Sequence, residues 1–321
     1  MIPRAIRIRA HAKINLDLRV LGTRADGYHE LRTVFQAVAL HDTIEIIPRP
    51  GPFAIDCTAP GVPLDRSNLV WQAADALWRV AERPGELHDV LVRIEKRIPP
   101  QTGLGGGSAD AAATLVGLAR AWRLDVKPSQ LADVAVTLGA DVPFFLSGGT
   151  ALGLGRGEEI YPLADLPRHW VVLLIPGFGV PTADAYGWYD ADRELDRGVV
   201  RAPQHVPGPW PSRAAQMIND LEPPIARRHP EIDQMTAALR RAGALAAAMS
   251  GSGSAVFGLF QRKSDAERAA ATLGGSGWGP VLTESLGRGE YARRSRPTIV
   301  RGAGVAGSRP ARALARKQRI D

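Results

Sequence analysis

Apolar residues occupy alternate positions at the start of the chain. Ile6 and Ile8, then Ile14, Leu16, Leu18 and Val20, are separated by polar or charged residues. That period of two is the pattern of a strand buried on one face. Thr43–Ile47 and Val90–Glu95 predict further strands. The period then changes. Leu69, Ala73, Leu77 and Val80 recur at helical spacing behind the capping pair Ser67-Asn68, which predicts a helix over 69–81. Ser108–Trp122, rich in Ala and Leu, and Ser129–Leu138 predict two more helices. From about Glu159 the pattern restarts, with strands at Trp170–Ile175 and Ala255–Phe260 and helices at Glu231–Arg241 and Ser264–Leu273. Pro203 to Pro211 holds four prolines and predicts a loop. No repeat period is present. The pattern predicts an α+β protein of two lobes, residues 1–158 and 159–289.

Composition narrows the class. The 321 residues suit two domains at roughly 150 each, and 45% hydrophobic with 23% charged residues is ordinary for a globular protein. Collagen-like, disulfide-framework and wholly disordered chains are excluded. The single cysteine, Cys57, excludes an internal disulfide and a multi-cysteine zinc site, and fits a reducing compartment. The net charge of +7 is local: residues 288–321 hold ten Lys or Arg against two acids, leaving the body at −1. Charge therefore does not indicate a nucleic-acid-binding core. Residues 290–321, poor in large apolar side chains, are expected to be a basic, disordered tail. The N-terminus has no uninterrupted apolar run, so no signal peptide is expected and the cytoplasm is the expected location. Ala242 to Gln261 is uncharged and long enough for a membrane span. Its polar, glycine-rich middle, Ser250–Ser254, argues against one, and no membrane partner is expected.

The segment richest in chemistry is Lys96-Arg-Ile-Pro-Pro-Gln-Thr-Gly-Leu-Gly-Gly-Gly-Ser-Ala-Asp110. A strand leads into prolines, then four glycines within five positions, then an Ala-rich helix. Glycines admit close approach of backbone amides and positive φ. The helix adds free N–H groups and the positive end of its dipole, and phosphate is the natural guest. The plain alternative is a glycine-rich turn with Ser108 as N-cap. No Gly-Lys-Ser/Thr follows the glycines, so this is not a Walker A loop. A third fingerprint glycine would have to replace Ser108, and Asp110 stands where a Gly-x-Ser-x-Gly elbow needs glycine.

Pro99-x-x-x-Gly-Leu-Gly-Gly-Gly-Ser-Ala-Asp110 resembles the phosphate loop of the GHMP superfamily of galactokinase, homoserine kinase and mevalonate kinase. Ser250-Gly-Ser-Gly-Ser-Ala255 resembles its third motif. Ala12-Lys-Ile-Asn-Leu16, Asp26-Gly-Tyr-His29 and Leu138-Gly-Ala-Asp-Val-Pro-Phe144 are similar to one family within it, the 4-diphosphocytidyl-2-C-methyl-D-erythritol kinases of the non-mevalonate isoprenoid pathway. The resemblance runs from about residue 9 to 287. It implies a two-lobed GHMP-kinase fold, with an N-terminal lobe like the ribosomal-protein β-α-β fold, a C-terminal α/β sandwich, and transfer of the ATP γ-phosphoryl to the substrate's C2 hydroxyl.

The resemblance also implies roles. Asp141 matches the catalytic aspartate and Lys13 its partner. Pro99, Pro100, Gln101, Thr102, Gly103, Leu104, Gly105, Gly106, Gly107, Ser108 and Ala109 match the loop around ATP, and Asn68, Leu69 and Lys96 fall where the family contacts adenosine. Ser108 is expected near the phosphates or Mg2+. The metal is carried by ATP, because no carboxylate cluster declares a protein-built cage, and Asp110 is expected to cap the helix. Asn15, two residues along the strand from Lys13, shares its face. It would hold the erythritol or diphosphate end. Cytosine needs hydrogen bonds to its edge and an aromatic platform, a match for Tyr28, His29, and Tyr186 in Pro181-Thr182-Ala-Asp-Ala-Tyr186. Gly251, Ser252 and Gly253 would offer groups near the acceptor. Without the resemblance, Lys13 is a strand lysine, Asp141 a helix-end turn and Tyr28-His29 a turn. Two rivals remain: another small-alcohol kinase such as homoserine kinase, and an RNA-binding module using the basic tail.

Overall fold

A computed structural model describes residues 4–195 and 217–301; the proline-rich loop at 203–211 and residues 302–321 lie outside them. The chain opens with a long antiparallel hairpin, β1 (Arg4–Thr23) and β2 (His29–Pro52). The alternation read from the sequence places Ile6, Ile8, Ala10, Ala12, Ile14 and Leu16 of β1 in the interior. Lys13, Asn15 and Asp17 take the other face. The β1–β2 register shifts between His11 and Lys13 and again between Asn15 and Asp17, so irregular pairing brackets the two polar residues that matter most. Such bulges re-aim side chains.

The first lobe continues through β3 (Ala54–Cys57), α1 (Leu69–Val80), β4 (His88–Glu95), α2 (Gly106–Ala121), α3 (Pro128–Leu138), α4 (Phe144–Ser147), β5 (Thr150–Leu154) and β6 (Glu159–Pro162). The second contains β7 (Trp170–Ile175), α5 (Thr182–Leu195), α6 (Glu222–Arg228), α7 (Glu231–Arg241), β8 (Ala246–Met249), β9 (Val256–Phe260), α8 (Lys263–Leu273) and β10 (Gly279–Glu284). Then come α9 (Arg288–Arg294) and β11 (Thr298–Arg301). Among the described residues, the first sheet runs β11-β1-β2-β4-β3, with β5 on β2 and β6 on β5, and the second runs β10-β7-β9-β8. Val70, Leu77, Leu115 and Leu118 of the helices pack on Ile8, Ile44 and Ile46. In the second lobe, Leu239 and Leu273 share a core with Val172, Leu174 and Phe260.

A third apolar layer joins the lobes. Ile14, Leu16, Ile98 and Leu104 pack with Val171, Leu173, Phe257 and Leu259. Each large side chain buried there is worth roughly 1.5–3 kcal/mol, so core packing sets how the lobes meet beside the glycine loop.

The lobe limits differ from the sequence expectation. β6 belongs to the first sheet, which extends that lobe past residue 158. More consequentially, residues 290–301 are not a loose tail. Tyr291 of α9 is 5% exposed and donates its hydroxyl to the Phe145 carbonyl at 2.7 Å. Arg294 reaches Glu284 at 2.8 Å, and β11 pairs antiparallel with β1. One aromatic anchor and an open strand edge order a segment whose composition is otherwise that of a tail. The uncharged stretch at 242–261 is β8, a turn and β9, and no helix among the described residues is long and apolar enough to cross a membrane.

Candidate active site

The glycine loop is fixed before it reaches any ligand. Thr102 spends its hydroxyl on the Pro99 carbonyl at 2.7 Å. Gln101 accepts the Val180 amide at 3.1 Å, and Leu104, 1% exposed, accepts the Lys13 amide at 3.0 Å. Gly103 and Gly105 both hold φ +72°. A Cβ on Gly103 would lie 1.9 Å from the Ser250 carbonyl oxygen, and one on Gly105 2.7 Å from the Phe145 ring. Both the left-handed backbone and the crowding require glycine.

α2 starts at Gly106, capped by Gly105, two residues earlier than the expected start at Ser108. Ser108 is therefore not the N-cap. The amides of Gly106, Gly107 and Ser108 form the first helical turn, which has no intrahelical acceptors. Ala109 is different: its amide bonds to the Gly105 carbonyl at 2.9 Å and its side chain is 2% exposed. Its N–H is therefore already used within the helix. Asp110 does not cap the helix either; it is 3% exposed and pairs with Lys96 at 2.8 Å.

Asn68 caps α1 by accepting the Val70 amide at 2.9 Å, while its Nδ2 donates to the Pro63 carbonyl. Leu69 lies beside the loop: a Cβ on Gly107 would meet its Cδ1 at 3.8 Å. Lys96 is also adjacent, but its ammonium is engaged by Asp42 and Asp110.

The structure brings Lys13 and Asp141 together. Lys13 Nζ lies 3.3 Å from Asp141 Oδ2, with the lysine 3% and the aspartate 32% exposed. Asp141 follows the end of α3, where Gly139 is the C-cap. Lys13 also donates to Asn15 Oδ1 at 2.6 Å, and Asn15 Nδ2 donates to Thr33 Oγ1 at 2.7 Å. Thr33 in turn donates to the Asp17 carbonyl, which fixes the orientation of the Asn15 amide. Sequence reasoning missed Thr33, one polar residue in a strand pattern. The turn at 250–254 closes over this cluster. Ser250 Oγ donates to the Gly103 carbonyl at 3.0 Å and accepts the Asn15 amide at 3.3 Å. A Cβ on Gly251 would sit 3.0 Å from Lys13 Nζ. Asn219, also missed, donates to the carbonyls of Met249 and Gly251.

The aromatic residues form a second cluster. The His29 and Tyr186 rings stack at 4.8 Å and 20°. His29 Nε2 lies 2.8 Å from Asp190 Oδ1, and Tyr189 presents an edge at 6.1 Å. Burial, then the nearby Asp141 charge, raises the Tyr186 hydroxyl pKa, which ties this cluster to the Lys13–Asp141 pair. Tyr186, Tyr189 and Asp190 lie three and four residues apart on α5, a spacing that shares one helix face. That spacing was the available signal for Asp190. Tyr28, in the turn before β2, diverges from His29: its amide donates to Asp26 Oδ1, it is 58% exposed, and its ring lies 5.1 Å beneath the Arg156 guanidinium. Thr182, after Pro181, meets Ser252 hydroxyl to hydroxyl at 3.2 Å, and joins α5 to the turn that holds Gly251 and Gly253.

Residues 68–149 match the model of the GHMP kinases N-terminal domain and residues 210–274 that of the GHMP kinases C-terminal domain. The chain is 40% identical over 278 residues to the 4-diphosphocytidyl-2-C-methyl-D-erythritol kinase of Geobacter sulfurreducens, covering 85% of this chain and 96% of that protein. The crystal structure of a 4-(cytidine 5'-diphospho)-2C-methyl-D-erythritol kinase superposes with TM-score 0.70 at 35% identity, covering 88% of this chain and 99% of the other. Homoserine kinase from Cytophaga hutchinsonii superposes at 0.65 over 92% and 97% of the chains but at 19% identity, a likeness of fold alone. The extent of the first two matches, over a chain with both GHMP kinase domains, places this ATP-dependent small-molecule kinase in the 4-diphosphocytidyl-2-C-methyl-D-erythritol kinase family.

Proposed function

We propose that this protein transfers the γ-phosphoryl group of ATP to the C2 hydroxyl of 4-diphosphocytidyl-2-C-methyl-D-erythritol, giving the 2-phosphate, in the cytoplasm and within the non-mevalonate isoprenoid pathway. The observation that carries this reading is the meeting of Lys13 and Asp141 at 3.3 Å, with the glycine loop against the lysine stem and the aromatic cluster near the aspartate. The triphosphate rests on the amides of Gly106, Gly107 and Ser108 at the positive end of α2. Asn68 and Leu69 border the adenosine. Mg2+ would be carried by the nucleotide and would neutralise charge on its phosphates. The Ser108 hydroxyl, in the first turn of α2, would meet the metal that the nucleotide carries.

Such transfers depend on positioning and charge neutralisation. The Asp141 carboxylate accepts the hydroxyl proton while the C2 oxygen bonds to phosphorus and the bridge to the leaving ADP breaks. Lys13 supplies positive charge at the same point, and Asn15, pinned by Thr33, orients the acceptor. Tyr28, His29, Pro181, Thr182 and Tyr186 serve the cytidine end, with Gly251, Ser252 and Gly253 between the two ends.

ATP consumption measured with the cytidine compound, its uridine analogue and homoserine tests the reading. Turnover of the cytidine compound alone is expected. Equal use of the uridine analogue would remove the base-reading role, and turnover of homoserine alone would replace the substrate. RNA binding lost on deletion of 302–321, with no turnover of any alcohol, would favour the rival reading of the basic tail.

A further inference from the structure

The adenosine role implied for Lys96 conflicts with where its ammonium is. Nζ lies 2.5 Å from Asp42 Oδ2 and 2.8 Å from Asp110 Oδ2, and the three side chains are 8%, 0% and 5% exposed. Asp42 uses its other oxygen on the chain itself, accepting the amides of Arg97 at 2.5 Å and Ile98 at 2.8 Å. Those amides lie where the chain leaves β4 and turns toward the loop. Asp110 lies on α2, just after the loop. Gly106 fits between: a Cβ there would meet Ile98 Cγ2 at 2.9 Å and Lys96 Nζ at 3.2 Å. One buried cluster thus grips the strand exit before the glycine loop and the helix after it.

Releasing the lysine to a ligand would strand two buried carboxylates beside each other, a costly arrangement. Burial opposes the Lys96 charge, but Asp110 and Asp42 outweigh it and raise its pKa above the usual lysine value. Burial raises the Asp110 pKa well above the carboxylate range, against the pull of Lys96. Only the lysine's direction reports its retention by the carboxylates; the direction at Asp110 reports its burial, which Lys96 opposes.

We propose that Asp42, Lys96 and Asp110 are positioning residues that clamp both ends of the phosphate loop, and that Lys96 acts on the nucleotide through this clamp and not by contact with adenosine. The inference rests on nucleotide binding at the glycine loop, as proposed above. It separates two ligands. A clamp serves any triphosphate, whereas an adenosine contact serves only ligands that carry adenosine.

Calorimetric titration of the full chain with a nonhydrolysable ATP analogue and with inorganic tripolyphosphate tests it. Lys96→Met is expected to raise both dissociation constants roughly tenfold, because small displacements of a positioning element suffice for such losses. The ratio between the two ligands should stay within twofold of wild type. Asp42→Asn should match it, and the double variant should be little worse than either single, since the residues act as one unit. Lys96→Met/Asp110→Leu replaces the buried pair with apolar groups, guards against simple misfolding, and should show the same parallel loss. A loss confined to the ATP analogue, or unchanged binding in the folded variants, overturns the clamp. Wild-type protein that binds the analogue but phosphorylates no cytidine compound sinks the proposed reaction and leaves the clamp standing. Wild-type protein that binds neither ligand sinks both.

Discussion

The two ends of the site are built from different materials. The end proposed for the phosphates is mostly backbone: a left-handed turn at Gly103 and Gly105, the first amides of α2, and a buried ion pair underneath. The end proposed for cytidine is mostly side chain, with His29 from β2 stacked on Tyr186 of α5 and held by Asp190. A backbone site depends on where atoms of every residue lie, so one added methyl can destroy it. A side-chain site is divided among groups and should fail in parts. Lys13 and Asp141 stand where the two ends meet, and they should fail differently from both.

The largest effect is expected there. Asp141→Asn keeps size and polarity but removes the proposed proton acceptor, and kcat should fall about 10²–10⁴-fold. KM for ATP should stay within threefold, because the loop amides do not involve Asp141. Steady-state kinetics with both substrates varied reads this directly, and near-normal kcat would end the assignment of Asp141 as base.

Gly103→Ala should come next. Its Cβ would need the space of the Ser250 carbonyl oxygen, 1.9 Å away, in a backbone with φ +72°. The loop must move, and with it the turn that touches Lys13 and Asn15. Because the displaced contact lies between the ends, kcat/KM for both substrates should fall, by roughly 10²-fold. A loss confined to ATP would show that the ends are less coupled than the contacts through Ser250 indicate.

Tyr186→Ala should be milder and one-sided. Stacking of a base on an aromatic ring is worth about 1–3 kcal/mol, so KM for the cytidine compound should rise roughly tenfold or more while KM for ATP holds. Equal changes in both would mean that Tyr186 supports the lobe packing more than the base.

This difference in materials also explains what is legible in the sequence. The phosphate loop is readable because glycines crowd into one short segment, and backbone sites leave local marks. The alternation along β1 likewise puts Lys13 and Asn15 on one face. Thr33 and Asn219 leave no mark, since they matter through partners 18 and 32 residues away, and Asp190, whose partner is 161 residues away, is marked only by its helical spacing from Tyr186. Asp42 is equally silent: a single acid in a strand gives no sign that it collects two amides and an ammonium. The segment at 290–301 misleads by composition, because one buried tyrosine outweighs a run of arginines.

The smallest effect concerns the platform under both ends. His11 of β1 is 1% exposed, near Tyr291 at 5.6 Å and His41 at 5.1 Å. Burial first, then the charge of His41, lowers its pKa to about 3 from a usual value near 6.5. The folded state therefore refuses a proton that the unfolded chain accepts. Above pH 6.5 neither state binds it and His11 makes no difference. As pH falls below that value the unfolded chain is increasingly favoured, and by pH 5 the deficit is about 2 kcal/mol, growing until the folded pKa is reached. His41, lowered in the same direction mainly by burial, adds to the slope. Denaturant unfolding between pH 7 and pH 5 should show this loss, and His11→Gln, which cannot titrate, should flatten it. Both lobes share the apolar layer beside this strand, so loss of the platform should abolish both halves of the site together, whereas Tyr186→Ala removes one. An unchanged pH slope in His11→Gln would assign the acid sensitivity elsewhere and leave Tyr291 docking without a histidine contribution.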